Sequence, residues 1–255
     1  MKPLKLLIVG GSGEAAGLAR ALHGDARYDA MVSLAGRTAE PAPIPGKVRR
    51  GGFGGADGLA RVLAEEGFDL VIDATHPFAV QIKANAIEAA RAASVPLLAI
   101  RRAPWVPRKG DDWRMVESIE GAAAALGEIP RRVFLTTGRN ELAPFVAASQ
   151  HFYLLRSVEP PPQEELPPRV ALITARGPFA LDDERRLLET HGIDIVVTKN
   201  SGGMATYAKL EAARALKLPV IMVRRPEVPD APASVETVDE ALACLERAHG
   251  ATSSA

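Results

Sequence analysis

The chain has 255 residues, enough for one large domain or two small ones, and 47% of them are hydrophobic, enough to fill a core. Its 31 basic and 31 acidic side chains balance to a formal net charge of zero, which argues against a general nucleic-acid binder. The single cysteine, Cys244, excludes an internal disulfide, and no Cys/His cluster suggests zinc. No apolar run reaches membrane-spanning length, and the first apolar run ends in glycines like a core strand, so a cytoplasmic protein without a membrane partner is expected.

Apolar runs of strand length alternate with alanine-rich helical stretches. The first half predicts strands at 4–9, 31–35, 47–50, 69–74 and 96–101, with helices near 13–23, 57–66, 79–93 and 118–127. The second half predicts strands at 132–137, 152–156, 169–175, 193–198 and 218–224, with helices near 140–149, 182–191, 204–216 and 236–248. Strands that alternate with helices form parallel α/β layers. The halves also end alike. Arg101-Arg102 and Arg224-Arg225 each close a strand and lead through prolines to a short polar segment and a last helix. The expected fold is therefore α/β, with two Rossmann-like parallel-sheet domains and a cleft between them. The division falls near Pro130, giving 1–130 for a dinucleotide and 131–255 for a substrate, with the terminal helix free to cross back onto the first domain. The proline-rich segments 41–45, 104–107, 159–168 and 226–232 read as extended loops, the second and fourth as a rim.

The strand at 4–9 runs into Gly10-Gly11-Ser12-Gly13-Glu14-Ala15-Ala16. Gly11, Gly13 and Ala16 fit the G-x-G-x-x-[G/A] fingerprint, in which glycines permit a tight turn and close approach to a pyrophosphate at a helix start. Glu14 is the least typical residue of this turn: its carboxylate either repels phosphate, points to the ligand's sugar or caps the helix. The second strand ends in Gly36-Arg37-Thr38 rather than in an acid. Arg37 is read as the partner of an NADP 2′-phosphate, against the alternative of a solvated loop cation. In Gly51-Gly52-Phe53-Gly54-Gly55 the glycines let backbone approach a ligand that Phe53 covers; a plain surface loop is the other reading. Thr75 and His76 close the strand at 69–74, where a proton donor is useful; a capping or packing histidine is the commoner alternative. In the second half, strand ends carry Thr136-Thr137-Gly138-Arg139, Arg176-Gly177-Pro178-Phe179 and Lys199-Asn200-Ser201-Gly202-Gly203. Arg139, Arg176 and Lys199, with Ser201 and Gly202, read as an anion-binding rim to which Arg156 and the double arginines add.

These motifs, in this order from Gly10 to about Pro226, resemble the precorrin-6A reductase family of corrin ring biosynthesis, cobalt-precorrin-6A reductases included. The matching segments are Gly-Gly-Ser-Gly-Glu-Ala at 10–15, Ala-Gly-Arg-Thr at 35–38 and Gly-Gly-Phe-Gly-Gly at 51–55. They continue with Asp-Ala-Thr-His-Pro-Phe-Ala at 73–79, Thr-Thr-Gly-Arg at 136–139, Arg-Gly-Pro-Phe at 176–179 and Thr-Lys-Asn-Ser-Gly-Gly at 198–203. The resemblance implies NADPH-dependent reduction of a macrocyclic double bond of precorrin-6A to give precorrin-6B, by a monomer or small homo-oligomer. On that reading Gly11, Ser12, Gly13 and Glu14 hold the pyrophosphate and adjacent sugar, Arg37 holds the 2′-phosphate, and Gly36 also contacts the cofactor. Phe53, Gly54, Thr75 and His76 line the nicotinamide side. Arg139, Arg176, Lys199, Ser201 and Gly202 hold carboxylates of the tetrapyrrole, and His76 or Lys199 donates a proton, unless water does. The competing readings are a non-catalytic NADP-binding redox sensor and an NADP-dependent dehydrogenase of another polyanionic small molecule.

Overall fold

The computed structural model describes residues 2–36 and 43–252. The first elements are β1 (Leu4–Val9), α1 (Gly13–Leu22), β2 (Tyr28–Leu34), β3 (Lys47–Arg50), α2 (Ala56–Glu66), β4 (Leu70–Asp73), α3 (Val80–Ala92) and β5 (Leu97–Ile100). They are followed by β6 (Trp113–Val116), α4 (Ile119–Ala125), β7 (Arg132–Thr136), α5 (Ala143–Ala147) and β8 (Phe152–Ser157). The chain ends with β9 (Val170–Thr174), α6 (Leu181–Thr190), β10 (Ile195–Lys199), α7 (Ala208–Ala215), β11 (Val220–Val223), β12 (Ala233–Val235) and α8 (Val238–Thr252).

The strands form two six-stranded sheets, ordered β12-β5-β4-β1-β2-β3 and β6-β11-β10-β7-β8-β9, with every pairing parallel. A parallel strand covered by helices on both faces reads as a near-continuous apolar run, and residues 6–9 of β1 are such a run. Leu6 and Ile8 enter one core with Leu18 and Leu22 of α1 and with Ala241 and Leu245 of α8. Leu7 and Val9 enter the other with Leu59 and Leu63 of α2 and Ala86 and Ala89 of α3. Each such leucine or isoleucine contributes about 1.5–3 kcal/mol by leaving water. In the second sheet Phe134, Leu154, Val196 and Met222 pack against Leu188 of α6 and Leu210 and Ala213 of α7. The start of α8 is a capping box: Glu240 N–H donates to Thr237 Oγ1 at 3.2 Å, and the Glu240 carboxylate accepts the Glu236 N–H at 2.7 Å.

The chain forms two compact units, Met1–Ala103 with Pro226–Ala255, and Pro104–Arg225. A single division near Pro130 does not describe this arrangement. The tail of each half supplies the last strand of the other sheet: β6 pairs with β11, and β12 pairs with β5. The crossings run through the proline-rich segments after Arg102 and Arg225, and α8 packs on α1. Neither β6 nor β12 appears in the sequence expectation, because each is a short edge strand without a continuous apolar run. Read half against half, the two strand orders are the same. Each reverses direction between its first and fourth strand, so that a crevice opens at the carboxyl ends of β1 and β4 and again at those of β7 and β10.

Candidate functional site

The first crevice is built by the β1–α1 turn. Gly10 has φ +134°, and a Cβ there would lie 2.6 Å from the Ala74 carbonyl oxygen, so only glycine lets the ends of β1 and β4 approach this closely. Gly10, outside the three-residue fingerprint, is the position that the local backbone requires to be glycine. A Cβ at Gly11 would meet only the Leu34 side chain at 3.5 Å, and one at Gly13 would meet nothing within 4 Å. Both are exposed, so the protein itself leaves open space over the start of α1. Ser12 is the N-cap: its Oγ accepts the Ala15 N–H at 3.1 Å and donates to the Ala74 carbonyl at 2.6 Å, tying the helix start to the end of β4. Glu14 accepts from Arg102 Nη1 at 2.7 and 2.9 Å. Burial pushes its carboxyl up, but the Arg102 charge and hydrogen bond, with the Glu14 N–H and the Ser12 hydroxyl, hold it below the usual range. Arg102 thus balances the charge of Glu14 at the helix start.

Beneath the end of β4 lies a buried charged group that sequence reading passed over. Asp73 is fully buried; its Oδ1 accepts from Thr75 Oγ1 at 2.6 Å and Thr75 N–H at 3.0 Å. Lys83 of α3 donates to Thr75 Oγ1 at 2.8 Å and to the Thr75 carbonyl at 3.2 Å. Arg101 Nη1 stands 2.8 Å from Asp73 Oδ2. An acid closing an apolar strand was the available signal. Thr75 is itself buried by this group, whereas His76 is exposed. The His76 Nδ1 accepts the Phe78 N–H at 3.3 Å, so in the neutral ring the proton sits on Nε2.

Strand order separates two groups of residues that the sequence reading places together. Phe53 and Gly54 follow β3, and β1 and β2 lie between β3 and β4, so they sit apart from Thr75 and His76. Their neighbour is Gly36 after β2, beside Gly51. Phe53 packs against the core, and the Arg49 guanidinium covers its ring at 4.2 Å from the centroid, so that face is already occupied. Gly54, at φ +81°, serves backbone conformation. Arg37 lies outside the described residues.

At the second crevice Lys199 ends β10 and pairs with Glu141, while Arg139 follows β7 and pairs with Glu159 at 3.2 Å. Two cations of the expected rim therefore already carry carboxylate partners. Arg176 is exposed at the end of β9. Arg156 does not join the rim: it is 7% exposed, bound to both oxygens of Glu184, and stacked on Phe179 at 3.7 Å. Asn200, not selected from sequence, organises the loop after β10. Its side chain exchanges hydrogen bonds with the Trp105 backbone at 2.8 and 2.9 Å, and Arg225 donates to the Asn200 and Ser201 carbonyls at 2.9 and 3.0 Å. Trp105 Nε1 donates to the Gly203 carbonyl at 2.8 Å. Trp105, within the segment 104–107 expected to form a rim, is thus buried, and it holds the loop at Asn200 and Gly203, on either side of Ser201 and Gly202. Thr137 Oγ1, at the end of β7, is buried with no hydrogen-bond partner among the described residues. Among those residues no group of three His, Cys, Asp or Glu side chains is placed to hold a metal, and no helix is long and apolar enough to cross a membrane.

Twin parallel sheets of this order, with a glycine turn and a capped helix start at the first crevice, define a Rossmann-like α/β protein, of a class that includes nicotinamide-dependent oxidoreductases. The chain belongs to the precorrin-6x reductase CbiJ/CobK family, whose pattern matches residues 5–246. A precorrin-6A reductase from Sinorhizobium sp is 52% identical over 95% of this chain and 92% of its own length. The solved structure of a CobK precorrin-6A reductase superposes with a TM-score of 0.90 at 46% identity, covering 96% of this chain and 97% of that one. A cobalt-precorrin-6A reductase from Salmonella typhimurium is 30% identical over 87% of each chain. The chain is accordingly an oxidoreductase of the precorrin-6A reductase family of cobalamin biosynthesis, a family that needs a nicotinamide cofactor.

Proposed function

We propose that this chain reduces metal-free precorrin-6A to precorrin-6B with NADPH. The observation that carries the reading is the open space over α1. Gly11 and Gly13 are exposed glycines that no neighbouring protein atom requires, above a helix start whose positive dipole end suits a pyrophosphate. Ser12 and Glu14 complete that seat, with Glu14 kept ionised beside Arg102 and turned toward a sugar hydroxyl. Gly36 and Arg37 receive the 2′-phosphate, with Gly54 and Phe53 on the same adenosine side. Thr75 and His76 border the nicotinamide, which supplies the hydride when bound. The metal-free substrate is favoured because the 52%-identical relative is named a precorrin-6A reductase, whereas the cobalt-precorrin-6A reductase is 30% identical.

The substrate carries several carboxylates, and Arg139, Arg176, Lys199, Ser201 and Gly202 are the residues that receive them. Glu141 and Glu159 hold Lys199 and Arg139 in place until substrate carboxylates replace them. The reduction also needs a proton at the neighbouring ring carbon. Lys199 is the stronger donor candidate, as a cation held at a strand end; His76 is the other. For Arg37→Ala the expected result is at least a tenfold fall in the preference for NADPH over NADH, from loss of one charge-assisted phosphate contact. The ratio of kcat/KM for the two cofactors measures it, and an unchanged ratio removes Arg37 from cofactor selection.

A further inference from the structure

The buried group under the β4 end holds more positive charge than it balances. Lys83 and Asp73 have side chains 1% and 0% exposed, and Lys83 Nζ stands 3.7 Å from Asp73 Oδ2. Arg101 approaches the same oxygen, yet its Nη1 and Nη2 are buried without an aligned acceptor, and Asp73 Oδ2 is buried without an aligned donor. Two cations thus share one carboxylate. Arg102, the next cation along the chain, is engaged with Glu14. A buried charge without a full complement of partners is costly, and an incoming anion relieves that cost. Thr75 connects the group to the rim. It accepts from Lys83, donates to Asp73, and follows Ala74, whose carbonyl takes the Ser12 hydroxyl.

We propose that Lys83 is a positioning residue of the dinucleotide site: through Thr75 it fixes the end of β4, and with Arg101 it keeps that end one positive charge in excess until a phosphate of the cofactor arrives. The inference rests on the reading of the first crevice as the dinucleotide seat. It adds a coupling between cofactor binding and protonation. Burial pulls the Lys83 ammonium down to about 8, opposed by the Asp73 carboxylate and reinforced by Arg101 and Arg102. The charged groups around it are Asp73 from β4 and Arg101 and Arg102 beyond β5, with Glu14 of α1 on the far side of Arg102. A phosphate nearby favours the ammonium form and raises its pKa, so binding takes up protons near pH 8. By linkage, affinity is full below that pH and falls as pH rises through and above it.

The test titrates the full chain with NADPH, and in parallel with NADH, without substrate, from pH 7 to about 9.5, for wild type and Lys83→Met. Calorimetry at pH 8.5 in two buffers of different ionisation enthalpy counts the protons taken up. Wild type is expected to lose about tenfold in affinity across the range and to take up a fraction of a proton. Lys83→Met is expected to bind about tenfold more weakly at pH 7, with no slope against pH. NADH separates this titration from that of the 2′-phosphate, and the absence of substrate separates cofactor phosphate from substrate carboxylate. A pH-independent wild-type affinity without proton uptake overturns the proposal, as does Lys83→Met binding with the wild-type slope. If Lys83→Met does not fold, the wild-type slope and proton count decide alone. Wild type that binds neither cofactor at any pH refutes the underlying reading of the crevice instead.

Discussion

Gly10→Ala is expected to destabilise the protein by about 2–4 kcal/mol and to abolish dinucleotide binding. The added methyl would sit 2.6 Å from the Ala74 oxygen and 2.8 Å from its carbonyl carbon, both backbone atoms with little freedom to move. The φ of +134° adds strain for any L side chain. Relief requires the ends of β1 and β4 to part, which pulls the Ser12 hydroxyl from Ala74 and misplaces the start of α1. Gly13→Ala is the matching control. Its methyl meets no protein atom within 4 Å, so stability is expected to stay within about 1 kcal/mol of wild type while affinity for NADPH falls. Denaturant unfolding and cofactor titration on the two variants separate the effects. Gly10→Ala that unfolds like wild type would contradict this account of the turn.

The second large effect is expected in the other unit, at Arg156. Arg156→Leu leaves the Glu184 carboxylate, 2% exposed, without the guanidinium that binds both its oxygens. Breaking a buried pair from one side costs about 3–5 kcal/mol, because the remaining charge stays buried. The double variant Arg156→Leu with Glu184→Leu removes both charges and is expected to recover most of that loss. Phe179 also loses the cation on its ring, so the Arg176–Phe179 loop is expected to loosen in the single variant. Denaturant unfolding of the three variants measures the cycle; a double variant as unstable as the single one would show that packing, rather than charge, sets the cost.

How far an element is legible in the sequence depends on where its packing partners lie. Strands buried on both faces, such as β1 and β7, are legible because parallel sheets demand continuous apolar runs. Their alternation with helices makes the parallel α/β class legible, but the strand order of each sheet is read from the structure. The exchange of β6 and β12 is not legible, since three or four residues at a sheet edge carry no periodicity, and their repeated setting after a double arginine is consistent with either sheet. The glycine turn is legible as a motif, but the motif points to Gly11 and Gly13, while the backbone clash falls on Gly10, because closeness to Ala74 depends on a strand 60 residues away in the chain. Cations mislead in the same way. Arg156 reads like a rim residue from its place at a strand end, yet its carboxylate lies on α6. Phe53 reads as a free aromatic until Arg49 and the core cover it. For Gly10 and Arg156 the deciding partner is distant in sequence; Phe53 is covered partly by its near neighbour Arg49 and partly by the core.

A reductase of metal-free precorrin-6A that prefers NADPH oxidises the nicotinamide only when the macrocycle is present. The most direct test follows nicotinamide oxidation by the purified full chain with metal-free precorrin-6A, with NADPH and NADH in parallel and with cobalt-precorrin-6A as the competing substrate. The expected result is turnover that depends on the macrocycle, is faster with NADPH than with NADH, and has higher kcat/KM for the metal-free form. NADPH bound but not oxidised in the presence of either macrocycle would contradict it and support the binding-only reading of the same crevice.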